Sequence, residues 1–368
     1  MKKFFAILLC LVMVFAVVAC NNNNGGNNNG GVTPAPSTEA EYKLGMGVVV
    51  DMNSSATGNA QVDATVATVV LDAEGKIVAC RIDVAQNKMT VTNGAVDVAQ
   101  TFETKMERGD AYGMAAAVNY GMDWNGDGVV KEWYDQAKAF EAYVVGKTAA
   151  QVEAIETQVV EGHGYVIAAD EALLSAGCTI QITDFVAAVV AACNDEQGVT
   201  FKTAETFTLG VAATTTAAES TAAKADANGT VKMYSDFAAT VVANGKILAT
   251  LNDAIQPNIT INAAGEIVDK AFTATKRNLK EAYGMAAAVN YGMDWNGDGV
   301  VKEWFEQSAA FSAHVVGMTA AQVEAMATQV VEGHGYVISA DDALLTAGCT
   351  IQITSIKTVV AKSVTNAR

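Results

Sequence analysis

The sequence predicts an α+β fold written twice: two tandem repeats, each a twisted, mainly antiparallel sheet packed with a few helices. Three observations predict it. Residues 111–133, AYGMAAAVNYGMDWNGDGVVKEW, recur letter for letter as residues 282–304. The same register, 171 positions apart, carries TAAQVEA (148–154 and 319–325), TQVVEGHGYVI (157–167 and 328–338) and AGCTIQIT (176–183 and 347–354). Within each half, β-rich runs split by turn residues precede stretches with helical spacing. A period this long exceeds that of solenoid or propeller repeats and suits a folding unit.

The first repeat is placed at 42–197 and the second at 198–368. Their opening strands match loosely, Tyr42-Lys-Leu-Gly being answered by Phe207-Thr-Leu-Gly. In the first repeat, Val66–Leu71 and Ile77–Val84 flank the turn Asp72–Gly75, which predicts a hairpin. Val78, Cys80, Ile82 and Val84 fall on one face of the second strand and Arg81 and Asp83 on the other, making Cys80 a core residue. Asn244-Gly245 marks the corresponding turn of the second repeat, and another turn is expected between Ile259 and Ile267. Trp133, Ala137, Phe140 and Val144 keep a three-to-four spacing, so Glu132–Val145 is read as a helix that Gly146 ends. Thr148 with Gln151 has the form of a capping box for a second helix. A third helix is expected at Thr183–Cys193.

Residues 1–19 read as a secretory signal: a basic Met1-Lys2-Lys3, an apolar run from Phe4 to Val18, then small residues. Val17-Val18-Ala19-Cys20 resembles the lipobox of bacterial lipoproteins, which implies that Cys20 becomes the lipidated first residue. Residues 21–31 contain only Asn and Gly, and with the Thr/Pro/Ser stretch that follows they make 20–41 an anchor and tether unable to bury a core. The expected location is the extracytoplasmic face of the bacterial cell membrane, with the body held there by lipid. No later run is apolar for long enough to span a bilayer.

The net charge of −17 offers no basic patch for phosphates, so nucleic acid is excluded as a partner. Cys178 and Cys349 are repeat equivalents, whereas Cys80 and Cys193 have no counterparts. A disulfide common to both repeats is therefore excluded, and a Cys80–Cys193 bridge stays open. Neither CxxC nor a Cys/His cluster suggests zinc. Without a G-x-S-x-G or Cys/His nucleophile pairing, hydrolysis is not expected.

Two segments carry candidate chemistry. Asp123, Asn125 and Asp127, repeated as Asp294, Asn296 and Asp298, place oxygen ligands at alternate positions before a glycine, as a calcium loop begins. The twelfth position, where a bidentate carboxylate would close the shell, is Tyr134 or Phe305. Glu132 and Glu303 stand two positions early. The competing reading is an Asp/Asn/Gly turn leading into the next helix. The second segment is Ala176-Gly177-Cys178-Thr179 with its copy Ala347-Gly348-Cys349-Thr350, a small-residue turn whose hydroxyl and backbone N–H groups suit a phosphate. Its own competing reading makes the threonines ordinary turn residues and the cysteines buried small hydrophobes.

A hairpin with a D-x-x-GKI turn, a helix ending in V-V-G, then L-x-S/T-A-G-C-T-I-x-I-T and a closing helix together resemble the FMN-binding domain family. This family includes flavin-carrying subunits of the sodium-pumping quinone reductase and the Rnf complex. The resemblance implies covalent FMN, attached by a flavin transferase through a phosphoester to the threonine of an S-G-A-T signature. Gly177 and Thr179, and Gly348 and Thr350, match that signature. Ala176 and Ala347 replace its serine, Cys178 and Cys349 its alanine, and Leu173 and Leu344 the aspartate expected upstream. Trp124, Trp133, Trp295 and Trp304 are candidates either to stack on the flavin ring or to pack the core, and His163 and His334 are read as turn residues.

Two functions are consistent with these readings. One is a lipid-anchored electron carrier with covalent flavin in each repeat, working with redox partner proteins, in which the cofactor carries the chemistry. The other is a cofactor-free surface lipoprotein that binds a ligand or partner.

Overall fold

The hairpin between the second and third strands shows how local chemistry starts the fold. Asp72 Oδ1 accepts from Glu74 N (3.1 Å) and Lys76 N (2.8 Å), and Gly75 supplies the positive φ of +74° that the turn requires. The corresponding turn of the second half uses Asn244 and Gly245 at φ +51° and +75°, the pair expected of a two-residue hairpin.

The computed structural model describes residues 39–115, 130–162, 164–286, 300–332 and 335–368. The first half contains β1 (Ala40–Asp51), β2 (Asn59–Leu71), β3 (Ile77–Thr90), α1 (Lys105–Arg108), α2 (Trp133–Val144), α3 (Ala149–Glu153), β4 (Thr157–Val159), β5 (Val166–Ala168), α4 (Glu171–Ser175) and α5 (Thr183–Cys193). There follow β6 (Val199–Thr203), β7 (Thr208–Thr216), β8 (Gly229–Val231), β9 (Tyr234–Ala243), β10 (Lys246–Ile255), β11 (Asn258–Ile261), β12 (Ile267–Ala271) and α6 (Lys276–Leu279). The chain closes with α7 (Trp304–His314), α8 (Ala320–Glu324), β13 (Thr328–Val330), β14 (Val337–Ser339), α9 (Asp342–Thr346) and α10 (Thr354–Thr365). The fold is thus mixed α+β with antiparallel sheets. Among the described residues, no helix is long and apolar enough to cross a membrane.

Two sheets form the centre, one in the order β3-β2-β1-β6 and the other β10-β9-β7, with every pairing antiparallel. The strands bury both faces. Leu44, Met46, Val62, Val66 and Met89 of the first sheet meet Leu209, Val211, Phe237, Val241 and Leu251 of the second in one cluster. The opposite face of the first sheet, with Val69, Cys80 and Ile82, is covered by Phe140 of α2 and by Phe185 and Val189 of α5. On the second sheet, Ala212, Ala238 and Ile247 lie under Phe311 of α7 and Val359 and Val360 of α10. The layers run helix, sheet, sheet, helix. A smaller sheet, β12-β11-β8, adds Val231, Ile259 and Ile261 to the central cluster.

Residues 39–368 make one compact unit, and the central cluster belongs to both halves. β6, which follows the first half's last helix, pairs with β1. The seam also carries buried charge. Arg277 Nη2 donates to Asp195 Oδ1 and Oδ2 at 3.1 and 3.0 Å. Glu141 accepts from Arg368 Nη1 and Nη2 at 2.8 and 2.9 Å.

Most local expectations match the structure. Thr148 and Gln151 form the capping box of α3, α2 runs from Trp133 to Val144, and α5 occupies Thr183–Cys193. The face expected for β3 changes at its start. The β2–β3 register shifts between Val70 and Leu71, so Val78 packs toward the central cluster while Cys80, Ile82 and Val84 face the helices. Asp83 is buried, although the alternation had placed it on the polar face. All four cysteines of the described body, Cys80, Cys178, Cys193 and Cys349, are buried free thiols, so the open Cys80–Cys193 bridge is not formed.

Helix and sheet approach most closely at two glycines. A Cβ on Gly45 would overlap Ala192 O of α5, and a Cβ on Gly210 would overlap Ser363 O of α10. Gly210→Ala should therefore cost about 1–3 kcal/mol by overpacking, read as a lowered urea midpoint. An unchanged midpoint would show that α10 and β7 separate at no cost.

Candidate functional site

The short helix α4 delivers the Ala-Gly-Cys-Thr segment. Asp170 caps it by accepting from Ala172 N (2.8 Å) and Leu173 N (3.2 Å), and the hydrogen bond from Tyr143 Oη at 2.7 Å holds the Asp170 carboxyl below its ordinary range. In the second half, Asp341 caps α9 in the same way, and His314 replaces the tyrosine, its Nε2 3.7 Å from the carboxylate. Both helices end on a glycine in the left-handed region, Gly177 at φ +87° and Gly348 at +84°. A Cβ at either glycine would run into a lysine side chain, Lys131 or Lys302. Those lysines donate to Ala176 O and Ala347 O at 2.8 Å.

Beyond the glycine the two cysteines turn inward. Cys178 and Cys349 have no exposure, and burial pushes each thiol up to about 12, so both stay protonated at neutral pH. Leu173 and Leu344, where the family resemblance expects an aspartate, are fully buried in the helix-side clusters.

The threonines are held by one glutamine each. Gln136 Oε1 accepts from Thr179 N (2.8 Å) and from its hydroxyl (3.1 Å), and Gln307 Oε1 does the same for Thr350 at 2.8 and 3.1 Å. Each glutamine then donates to a lysine carbonyl, Lys131 O at 2.9 Å or Lys302 O at 2.8 Å. Sequence reasoning did not single out these glutamines. Their signal is a polar residue on the apolar face of a helix, Gln136 lying among Trp133, Ala137 and Phe140. Glu132 and Glu303, the early carboxylates of the two Asp/Asn loops, are also engaged by backbone. Glu132 accepts from Met114 N and Ala115 N at 2.9 and 3.0 Å, and Glu303 from Met285 N and Ala286 N at the same distances.

In the second half, Thr350 lies on the wall of a cleft of about 670 Å³, within the size range of small-molecule sites. Tyr234, Tyr283 and Tyr336 line it, half-buried, with Trp304, Lys276 and Asp236. Lys276 Nζ lies over the Tyr283 and Trp304 rings, 5.2 and 5.3 Å from their centroids. The first half repeats this arrangement with Lys105 over Tyr112 and Trp133 at 5.2 and 5.5 Å. Its surroundings are more acidic. Burial raises the Asp63 and Asp184 carboxyls, with Asp51 adding repulsion at Asp184, while Ser355 occupies the position equivalent to Asp184 and hydrogen-bonds Asp236. Trp133 and Trp304 are themselves core residues, 2% and 4% exposed.

Asp123, Asn125, Asp127, Asp294, Asn296 and Asp298 lie outside the described residues, as do Cys20, Trp124, Trp295, His163 and His334. Among the described residues, no group of His, Cys, Asp and Glu is arranged to hold a metal. No family model, curated protein or solved structure matches the chain.

The lysines over the aromatic rings are carried by α1 and α6, and each helix is fastened by a buried aspartate. Asp83 Oδ1 accepts from Met106 N (3.1 Å) and Val84 N (2.7 Å), and Asp253 from Arg277 N (3.1 Å) and Ala254 N (2.8 Å). Burial raises Asp83 to about 6 despite those bonds. A raised carboxyl favours the protonated folded state, so its stabilisation is full below about pH 4 and is lost as pH rises through about 6. Wild type should lose on the order of 2–3 kcal/mol relative to Asp83→Asn across that window, measured by urea unfolding at several pH values. Parallel profiles would contradict the shift.

Proposed function

We propose that this protein is a lipid-anchored extracytoplasmic carrier made of two copies of one FMN-binding-like unit, 42–197 and 198–368. One observation carries the reading: Thr350 of the Ala-Gly-Cys-Thr segment lies on the wall of the aromatic-lined 670 Å³ cleft. The residues there fit the group. Thr350 would hold the phosphoester, Gln307 would keep its bond from Thr350 N when the hydroxyl proton is lost, and Lys276 would place positive charge among the tyrosines. Thr179, Gln136 and Lys105 would serve in the first unit. Bound FMN supplies one- and two-electron transfer, and the chain's role is to orient the ring, limit water and set the surrounding charge. A flavin transferase and redox partner proteins are the implied partners. Calcium at the Asp/Asn loops stays a secondary proposal.

The second reading, a cofactor-free surface lipoprotein that binds a ligand or partner, is favoured by a different observation. Both threonine hydroxyls are already bonded to glutamine, and leucine occupies the place of the signature's aspartate. Intact-mass analysis after co-expression with the host's flavin transferase separates the two. The carrier reading expects two additions, each of FMN less water, with Thr179→Ala and Thr350→Ala each removing one. A colourless protein of unmodified mass would leave the cofactor-free reading.

A further inference from the structure

A second pocket, of about 310 Å³, opens at the seam between the halves. Its origin shows when equivalent positions are compared. In the first half Glu141 fills this place, accepting from Ile82 N (2.8 Å) and from both terminal nitrogens of Arg368. The residue 171 positions after Glu141 is Ser312, and the residue 171 before Arg368 is Gln197. Serine is too short to fill the space, and the Gln197 side chain turns away to donate to Arg277 O at 3.0 Å. An ion cluster in one half thus becomes a cavity in the other.

The lining defines what the cavity would accept. Leu251, Asn252, Ser308 and Ser312 form a buried floor, and Ala309, Ala313 and Val316 form an exposed apolar rim. The guanidinium of Arg277 is neutralised by Asp195 and also donates to Gln197 O at 3.0 Å, so the charge that could recruit an anion is spent. Polar capacity on the floor is not spent. Asn252 Nδ2 donates to Ser312 Oγ at 2.9 Å, which leaves the Ser312 proton free to donate. Asn252 Oδ1 is buried with no hydrogen-bond partner among the described residues. At roughly 30 Å³ for each water-sized group, the volume admits about ten non-hydrogen atoms.

We propose that this pocket binds a small neutral alcohol, with its aromatic or branched aliphatic body against the Val316 and Phe305 side and its oxygen accepting from Ser312. The site is independent of the flavin reading. Benzyl alcohol is the probe, titrated against the full chain and detected by saturation-transfer NMR, with toluene as the analogue lacking the hydroxyl. Wild type should bind benzyl alcohol, with toluene about tenfold weaker for want of one hydrogen bond. Ala309→Trp, which closes the rim from an exposed position, and Ser312→Gln, which approaches the length of Glu141 without its charge, should each abolish the signal while leaving the circular dichroism unchanged. Absence of binding to wild type, undiminished binding to Ala309→Trp, or equal binding of toluene would overturn the proposal.

Discussion

The structure depends on two sheets that have no solvent face. Phe237, Leu209 and Val241 from one and Met46, Val62 and Met89 from the other are removed from water in the cluster between the sheets, and apolar burial of this kind is the largest favourable contribution to folding. The outer faces are then closed by α2 and α5 on one side and α7 and α10 on the other. The two layers are not divided cleanly between the halves, because β6 (Val199–Thr203) completes the first sheet beside β1. The buried Arg277–Asp195 pair lies at the seam, where its desolvation cost offsets much of its attraction, and there the buried Glu141 meets the more exposed Arg368.

The candidate site inherits its rigidity from that frame. A glycine in the left-handed region stops α4 or α9, a lysine covers the glycine, a glutamine from the neighbouring helix holds the threonine, and the cysteine is turned into the core. The four backbone N–H groups of the first copy, the Ala176 carbonyl and the Thr179 hydroxyl all have protein partners. The two halves share this geometry and differ in their surroundings: Asp63 and Asp184 near Lys105 in the first, Asp236 and Ser355 near Lys276 in the second. Near-identity of the repeated letters therefore coexists with unlike electrostatics, because the residues that differ lie on the strands and closing helices where the repeats have diverged.

Legibility tracked the range of each interaction. The Asp72–Gly75 turn, the Asn244-Gly245 turn, the Thr148–Gln151 capping box and the limits of α2 and α5 rest on contacts within a few residues, and all could be read. The bulge that turns Val78 inward depends on a neighbouring strand. The burial of Asp83 depends on α1, more than twenty positions away, and the role of Gln136 on a threonine 43 positions on. Gln136 did leave a trace, as a polar residue interrupting an apolar helix face, but the pattern could not name its partner.

By itself the sequence determined the duplication, the α+β class, the local turns and caps, and the place of the Ala-Gly-Cys-Thr segments, because these follow from repetition and short-range backbone chemistry. Only the tertiary structure decided that the halves share one interior, that Thr350 borders a cleft, and that Ser312 leaves a pocket where Glu141 fills one. Those outcomes depend on which surfaces meet across the seam, and hydrophobic burial is non-directional, so the pattern specifies that a face must be covered without specifying by what.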